Sequence, residues 1–508
     1  MISPSRSEFR DLARKGNLIP VFGEVVADAE TPVSAYYKIT RPVKGGPEGR
    51  NDPAFRHSFL LESVEGGEKI GRYSFLGVRP RAVFTQRGGK AELVSPTGSE
   101  TIEGKDVFDR IRVALSRFTP VAVPGLPPFI GGAVGYVSYD VISEVEPTVQ
   151  RPAPTPVDVP EAVFLITDAI LAFDKVRHTI KVISQAYLGE AGVDPDVIYD
   201  KATAEIEAII EKLRMPVSLP AVSLRSPAAE LQFSSNKTKA EHREMVLRAK
   251  QYILDGDIIQ TVLSQRFSIK LPVSPLAVYR ALRMVNPSPY MFLLDCDGFA
   301  VVGASPEVHA RCSERMITVR PIAGTRRRGK SDAEDAELAK ELLADPKERA
   351  EHIMLVDLAR NDIGRIAETG TVKVDELMTV EKYSHVMHIV SNVSGTLKAD
   401  LGSDAVMRST FPAGTLSGAP KVRAMQIISE LEKEGRGPYG GAVAYYSFSG
   451  NVDSCITIRT AVLKVGVAYI QSGGGIVADS VPETEYEETV NKAKAMMKAL
   501  AMARDFEV

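Results

Sequence analysis

The chain has 508 residues, enough to bury a sizeable core and, by the usual size relation, to form about two to four domains. Acids and bases nearly balance at a formal net charge of −3, and no basic stripe interleaved with aromatics is present, which speaks against nucleic acid as a partner. Three cysteines without a Cys-x-x-Cys pair argue for a reducing compartment and no disulfide framework, and no apolar run approaches the roughly 18 residues of a membrane span.

Met1 to Pro20 mixes Arg6, Arg10, Arg14 and Lys15 with Glu8 and Asp11 and lacks an apolar h-region, so it does not read as a secretory signal, and the expected location is the cytoplasm. Phe59-Leu-Leu-Glu-Ser, a Gly66-Gly67 turn and Tyr73-Ser-Phe-Leu-Gly predict paired strands. Further strands are predicted at Arg81 to Gln86, Val163 to Phe173 and His178 to Ala186, which makes the first half mainly sheet. Two Pro-rich passages, Thr119 to Pro128 and Glu146 to Pro160, flank Gly131-Gly-Ala-Val-Gly-Tyr-Val-Ser-Tyr139. Asp196 to Arg214 is a helix with Ile206, Ile209, Ile210 and Leu213 on one side. Met215 to Ala229, with its three prolines, tolerates what an element interior does not, so it marks a boundary between 1–230 and 231–508.

Beyond it, Thr238-Lys-Ala-Glu241 is a capping box opening a helix to about Leu254. Asp257 to Leu271 reads as a strand, Pro275 to Val285 as a helix, and Tyr290 to Ala304 as a hairpin turning at Asp295-Cys-Asp-Gly298. Arg326, Arg327 and Arg328 read as a solvated loop. Pro346 to Arg365 is a helix with Pro at its start and Gly364 near its end, and Glu348 and Glu351 share a face just before the apolar run Ile353 to Val356. A second Glu-x-x-Glu pair, Glu485 and Glu488, opens the C-terminal helix directly after Gly473-Gly-Gly475. Taken alone, each acidic pair is a helix start favoured by the dipole; if the two converge, carboxylates with water and an anionic ligand suit Mg²⁺. The glycine run is either a hairpin turn or a place where backbone N–H groups approach an anion. His388 lies among Met, Ile and Val, where a core histidine is the commoner finding, and His385 with His388 lacks further ligands for zinc. Strand alternation does not place Arg459, for which an internal salt bridge is the simplest role. Finally, Gly440-Gly-Ala-Val-Ala-Tyr-Tyr-Ser-Phe448 echoes Gly131 to Tyr139; beyond chance, the echo would mark equivalent central strands in two halves of an antiparallel sandwich.

Three segments in order, Met354-Leu-Val-Asp-Leu-Ala-Arg-Asn-Asp362, Pro412-Ala-Gly-Thr-Leu-Ser-Gly-Ala-Pro-Lys421 and Gln471-Ser-Gly-Gly-Gly-Ile-Val-Ala-Asp479, resemble the chorismate-utilising enzymes, on their anthranilate-forming branch. The resemblance spans essentially the whole chain and implies an α+β fold, a large antiparallel β-sandwich flanked by helices. It implies Mg²⁺ on Glu351 and Glu488, with Glu348 and Glu485 behind. Gly473, Gly474 and Gly475 would take the ring carboxylate of chorismate, Gly324 and Thr325 would contact substrate, and Tyr439 and Arg459 would hold the enolpyruvyl group. His388 would assist departure of the C4 hydroxyl as general acid, and Glu307 would abstract a proton as pyruvate leaves. Gln260 replaces the water-activating Lys of isochorismate-forming relatives, and Ala323 the Lys of aminodeoxychorismate synthases, so ammonia is the expected nucleophile. With no glutamine-hydrolysing cysteine motif visible, a separate glutamine amidotransferase subunit would supply it, in a heterotetramer. Glu62, Ser63, Pro289, Tyr290, Met291, Val443 and Tyr445 match a site for inhibitory L-tryptophan, although Ala444 departs from the family's Gly. Aminodeoxychorismate synthase component I is the enzymatic alternative; a catalytically silent tryptophan sensor is the alternative of another class.

Overall fold

Two antiparallel sheets, of 13 and 12 strands among the described residues, frame the chain in a computed structural model. It describes residues 2–40, 56–63, 71–189, 193–217, 219, 222, 231–383 and 386–507. The Gly66-Gly67 turn, His385 and most of the Met215 to Ala229 boundary lie outside the described residues.

Both sheets are assembled from both halves of the chain. From its outer edge inward, the first half supplies Leu18–Val26, Thr179–Tyr187, Ala169–Asp174, Tyr73–Val78 and Ser58–Glu62 to the larger sheet. The second half supplies, in the same order of connection, Gln260–Lys270, Val467–Ile476, Thr460–Lys464, Phe299–Ser305 and Tyr290–Cys296. The two sets meet where Leu61 faces Phe292 and Leu60 faces Leu293. In the smaller sheet the halves meet through the two echoed segments, Gly132–Val137 and Ala442–Ser447, which pair directly, Val443 opposite Tyr136 and Tyr445 opposite Val134. The echo is therefore structural, and it marks the two strands at the join. After its last sheet strand, each half sends a long helix, Pro195–Arg214 or Pro482–Ala503, back over the larger sheet.

Three clusters fill the layers. Phe59, Phe75, Ile170 and Phe292 of the larger sheet pack on Val134, Tyr136, Val443 and Tyr445 of the smaller between the sheets. Helices cover each outer face, with Ile206 and Met496 among the buried contacts on one side and Ile111, Val356 and Met407 on the other. Local chemistry agrees with these positions: Thr238 and Glu241 form a reciprocal capping box on Lys239–Leu254, and Asp345 caps Pro346–Gly364 by accepting from the N–H groups of Lys347 at 2.9 Å and Glu348 at 3.3 Å.

One expected strand is two. Val163 to Phe173 breaks at Thr167 and Asp168, with Ala162–Ile166 in the smaller sheet and Ala169–Asp174 in the larger. Both pieces are buried on both faces, so the apolar run carries no mark of the crossing. The break is held instead by polar residues: Gly132 donates its N–H to Thr167 Oγ1 at 2.8 Å, and Asp168 pairs with Arg81.

Candidate active site

The glycine run is inside a strand, Val467–Ile476, and not at a hairpin turn. Gly473, Gly474 and Gly475 stand opposite Ser264, Leu263 and Val262 of Gln260–Lys270. Glycine is required there by space. A Cβ on Gly473 would lie 2.7 Å from the Tyr439 hydroxyl, one on Gly475 2.6 Å from Gln260 Nε2, and one on Gly474 3.2 Å from Glu485 Oε2 and 3.6 Å from Glu488 Oε1. A strand of bare backbone thus forms a floor against side chains from the Tyr439 turn, the Gln260–Lys270 strand and the Pro482–Ala503 helix.

The two acidic helix starts reach this floor from different helices. Glu485 and Glu488 come from Pro482–Ala503, beside Gly474; Glu351 comes from Pro346–Gly364 and accepts a hydrogen bond from Gln260 Nε2 at 3.3 Å, beside Gly475. Burial raises the carboxyl pKa of both Glu351 and Glu485, opposed in both by the charges of Lys347 and Lys492, so one electrostatic neighbourhood contains both pairs. Glu485 Oε2 is buried with no partner among the described residues. The remaining carboxylates are neutralised by the chain itself: Lys492 Nζ lies 2.6 Å from Glu488 Oε1, and Arg326 Nη1 lies 3.2 Å from Glu348 Oε1. Among the described residues no three His, Cys, Asp or Glu side chains close into a ligand cage. The donor set nevertheless suits a hard cation: all are carboxylates, one oxygen is orphaned, and two carboxyls are raised by burial in a way that an adjacent cation would reverse.

Cations for an anionic ligand stand beside Glu488. Arg459 holds a left-handed backbone at φ +51, donates from Nη1 to the Lys492 carbonyl at 2.6 Å, and makes no ion pair among the described residues, so the internal salt bridge considered above is not what it forms. Burial lowers its pKa while Glu307, Tyr439 and Glu488 oppose the shift, which places those three groups around it. Lys492 also donates to the Gly473 carbonyl at 3.0 Å. Glu307 accepts from Thr415 Oγ1 at 3.0 Å, and burial raises its pKa.

His388 enters from Val386–Thr396, paired with Ile322–Arg327. The register slips between Ala323 and Thr325, and Gly324 takes the extra position at φ +67, where a Cβ would lie 3.1 Å from Glu348 Oε2. The bulge turns the Gly324 carbonyl toward the imidazole, which donates from Nδ1–H at 2.9 Å, with Thr325 Oγ1 at 3.1 Å from the same nitrogen. That tautomer leaves Nε2 for a substrate. Burial lowers the His388 pKa, against the pull of the Gly324 carbonyl.

One reading changes: Arg326, Arg327 and Arg328 are not a free solvated loop. Arg326 and Arg327 lie on the Ile322–Arg327 strand, where Arg326 pairs with Glu341 at 2.9 Å, Asp345 at 2.9 Å and Glu348 at 3.2 Å and Arg327 with Glu334 at 2.6 Å, and Arg328 pairs with buried Asp335 at 2.6 Å. Lys492, Lys347 and Thr415 had no place in the sequence reading. Lys492 was within reach of it, because i+4 from Glu488 puts it on the same helix face.

A second cavity, of about 300 Å³, opens between the sheets where the halves join. Glu62, Ser63, Pro289, Tyr290, Met291, Val443 and Tyr445 all line it, together with Arg72, Phe75, Arg311 and Asp453. Asp453 accepts from the Tyr290 hydroxyl at 2.8 Å, and Glu62 from the Tyr279 hydroxyl at 2.6 Å with Arg283 Nε at 3.1 Å. Tyr290 is the cross-strand partner of Ser305, the last residue of its strand, whose Oγ accepts from the Glu307 N–H at 3.3 Å, so Ser305 links the cavity wall to Glu307.

Residues 56–498 match the family described as chorismate binding enzyme. The chain is 46% identical to anthranilate synthase component 1 of Synechocystis sp., over 98% of this chain and 99% of that protein, and 45% identical to that of Aquifex aeolicus, over 99% and 98%. Among solved structures, anthranilate synthase component I from Streptococcus pneumoniae superposes with a TM-score of 0.76 at 35% identity, covering 93% of this chain and 99% of that one. The isochorismate synthase MenF of Escherichia coli, at 18% identity and a TM-score of 0.68, shares the fold.

Proposed function

The chain belongs to the chorismate binding enzymes, as a full-length relative of the anthranilate synthase component 1 proteins, and from that premise we propose that this site converts chorismate and ammonia to anthranilate and pyruvate, the first step toward tryptophan. One observation carries the reading: the glycine run, Arg459, Tyr439, His388 and the two acidic pairs, up to 140 positions apart in sequence, lie within contact or electrostatic reach of one another.

The N–H groups of Gly473 to Gly475 take the ring carboxylate, which only residues without Cβ can approach so closely. Arg459 and Tyr439 hold the enolpyruvyl carboxylate; the guanidinium, with no ion-pair partner among the described residues, is able to form charge-assisted bonds to it. Gly324 and Thr325 contact substrate and keep His388 in one tautomer. As the carbon–nitrogen bond forms at C2, the bond from C4 to its hydroxyl breaks; His388 acts here as the imidazolium, keeping Nδ1–H on the Gly324 carbonyl and giving its Nε2 proton to the oxygen, which leaves as water, and the proton lost by the added ammonia nitrogen balances it. Glu307 then takes the proton from C2, the ether bond at C3 breaks, and the side chain departs as pyruvate while the ring becomes aromatic. Glu351 and Glu488 would hold Mg²⁺, with Glu348 and Glu485 behind; the ion would neutralise the ring carboxylate and draw electron density from the ring. Ammonia comes from glutamine through a partner amidotransferase, anthranilate synthase component II, in a heterotetramer. No helix among the described residues is long and apolar enough to cross a membrane, and we place the enzyme in the cytoplasm. The cavity at the join is the site where L-tryptophan inhibits. We keep 1–230 and 231–508 as a division of labour, with catalysis in the second part.

The test is direct. With chorismate, an ammonium salt and Mg²⁺, the purified chain is expected to release fluorescent anthranilate and pyruvate in equal amounts; aminodeoxychorismate without pyruvate would assign it to the other branch, and no product would support the silent sensor. Glu351→Gln and Glu488→Gln are each expected to abolish Mg²⁺-dependent turnover while leaving the thermal midpoint within a few degrees of the parent. Retained activity removes the metal assignment.

A further inference from the structure

Tyr439 and Gly473, assigned above to the two carboxylates of the substrate, rest on a support that the mechanism does not use. Glu432 ends the Lys421–Glu432 helix and Arg436 follows four residues on; their side chains are 5% and 1% exposed and pair through Arg436 Nη2 to Glu432 Oε1 at 2.7 Å and Nε to Oε2 at 2.8 Å. A buried ion pair is tolerated only when its other hydrogen-bonding positions are filled, and here the backbone fills them. Arg436 donates to the Leu416 carbonyl from Nη1 and to the Val262 carbonyl from Nη2, both at 2.7 Å. Glu432 Oε1 accepts from the N–H and the hydroxyl of Ser264, both at 2.8 Å.

Each bond ends beside the substrate site. Ser264 is the cross-strand partner of Gly473, Val262 that of Gly475, and a Cβ on Gly473 would lie 3.1 Å from Ser264 Cβ. The Arg436 guanidinium lies 4.5 Å from the ring of Tyr139 and 5.7 Å from the ring of Tyr439. Asp140 fixes the same turn by accepting the N–H of Arg436 at 3.0 Å and of Gly437 at 2.8 Å, two residues before Tyr439.

We propose that Glu432 and Arg436 are positioning residues for the substrate: the pair sets the phenol of Tyr439 against the glycine floor and holds the 262–264 backbone in register with it. Well-packed apolar residues of like volume would stabilise the fold as well. What the charged pair adds is direction, because a planar fork bonded to two carbonyls and a carboxylate admits one arrangement of all three. The proposal rests on the reading of Tyr439 and Gly473 given above.

Steady-state kinetics on four variants tests it. Arg436→Lys keeps the charge and loses the fork, and is expected to raise the KM for chorismate on the order of tenfold while kcat stays within about threefold. Ser264→Ala leaves the ion pair intact and removes the hydroxyl that donates to Glu432 and accepts from Gln471, so it reads the same effect, at about threefold, should Arg436→Lys not fold. Tyr439→Phe raises KM by itself. In the pair Arg436→Lys with Tyr439→Phe, the combined rise is expected to fall well short of the product of the two, because one change acts through the other. Multiplying effects, or an unchanged KM in both Arg436→Lys and Ser264→Ala, would overturn the proposal. An unchanged KM in Tyr439→Phe alone removes the assignment of Tyr439 beneath it.

Discussion

Arg459 combines two features that act against folding: a left-handed backbone in a residue with a Cβ, and a half-buried guanidinium without a carboxylate partner among the described residues. Strain of this kind costs about 1–3 kcal/mol and persists where the surroundings demand it. Arg459→Gln keeps the strain but removes the half-buried charge, so thermal stability is expected to be unchanged or higher, while chorismate affinity falls by more than about tenfold, the loss of a charge-assisted pair; a calorimetric scan beside a chorismate titration checks both. His309 shows the opposite economy. It is buried between the hydroxyls of Ser454 and Thr410, and burial lowers its pKa to about 4 from an ordinary 6.5. The neutral ring thus contributes stability that is complete above about pH 6.5 and lost as pH falls through 4, about 3 kcal/mol in all. Urea titrations over that range are expected to be flatter for His309→Gln than for the parent. At this scale the sequence showed acids and glycines by type and spacing. It did not show that Gly473 to Gly475 are there for room, since a turn and a crowded strand call for the same residue.

Elements were legible where local chemistry decides them. The Thr238 capping box and the proline-led helix Pro275–Val285 stand where the sequence places them. They failed to be legible where the decision is tertiary: the apolar run from Val163 has no pattern to say that it changes sheets at Thr167, and the bulge at Gly324 depends on a register with Val386–Thr396, 64 positions away at its His388 contact. A helix from each half is joined by one residue. Asp106 caps Val107–Leu115, accepting from the Asp109 N–H at 2.9 Å, and binds Arg408 of Ser403–Thr410 at 2.7 and 3.1 Å. Asp106→Ala removes a cap and leaves half-buried Arg408 with Asp404 alone at 3.4 Å, so a loss of about 2–3 kcal/mol is expected with kcat unchanged. A shift in the urea midpoint without a change in slope reads it.

At the scale of the whole molecule, two halves with one strand order share both sheets, and the shared seams are Ser58–Glu62 against Tyr290–Cys296 and Gly132–Val137 against Ala442–Ser447. Expressing 231–508 alone would expose both seams as apolar edges, and that fragment is expected to aggregate; a folded monomer by size-exclusion chromatography and circular dichroism would show the seams to be dispensable. The echoed nonapeptide hinted at this arrangement, but pairing partners are not written in a single strand. The cavity at the seam has one more consequence, because the chain has 16 tyrosines and no tryptophan. Making this polypeptide draws nothing from the pool it is proposed to monitor, so a starved cell can still translate it. At wavelengths where phenols are dark, an indole docked among Tyr290, Met291 and Tyr445 would be the sole emitter, and occupancy could be followed by its polarisation without a label.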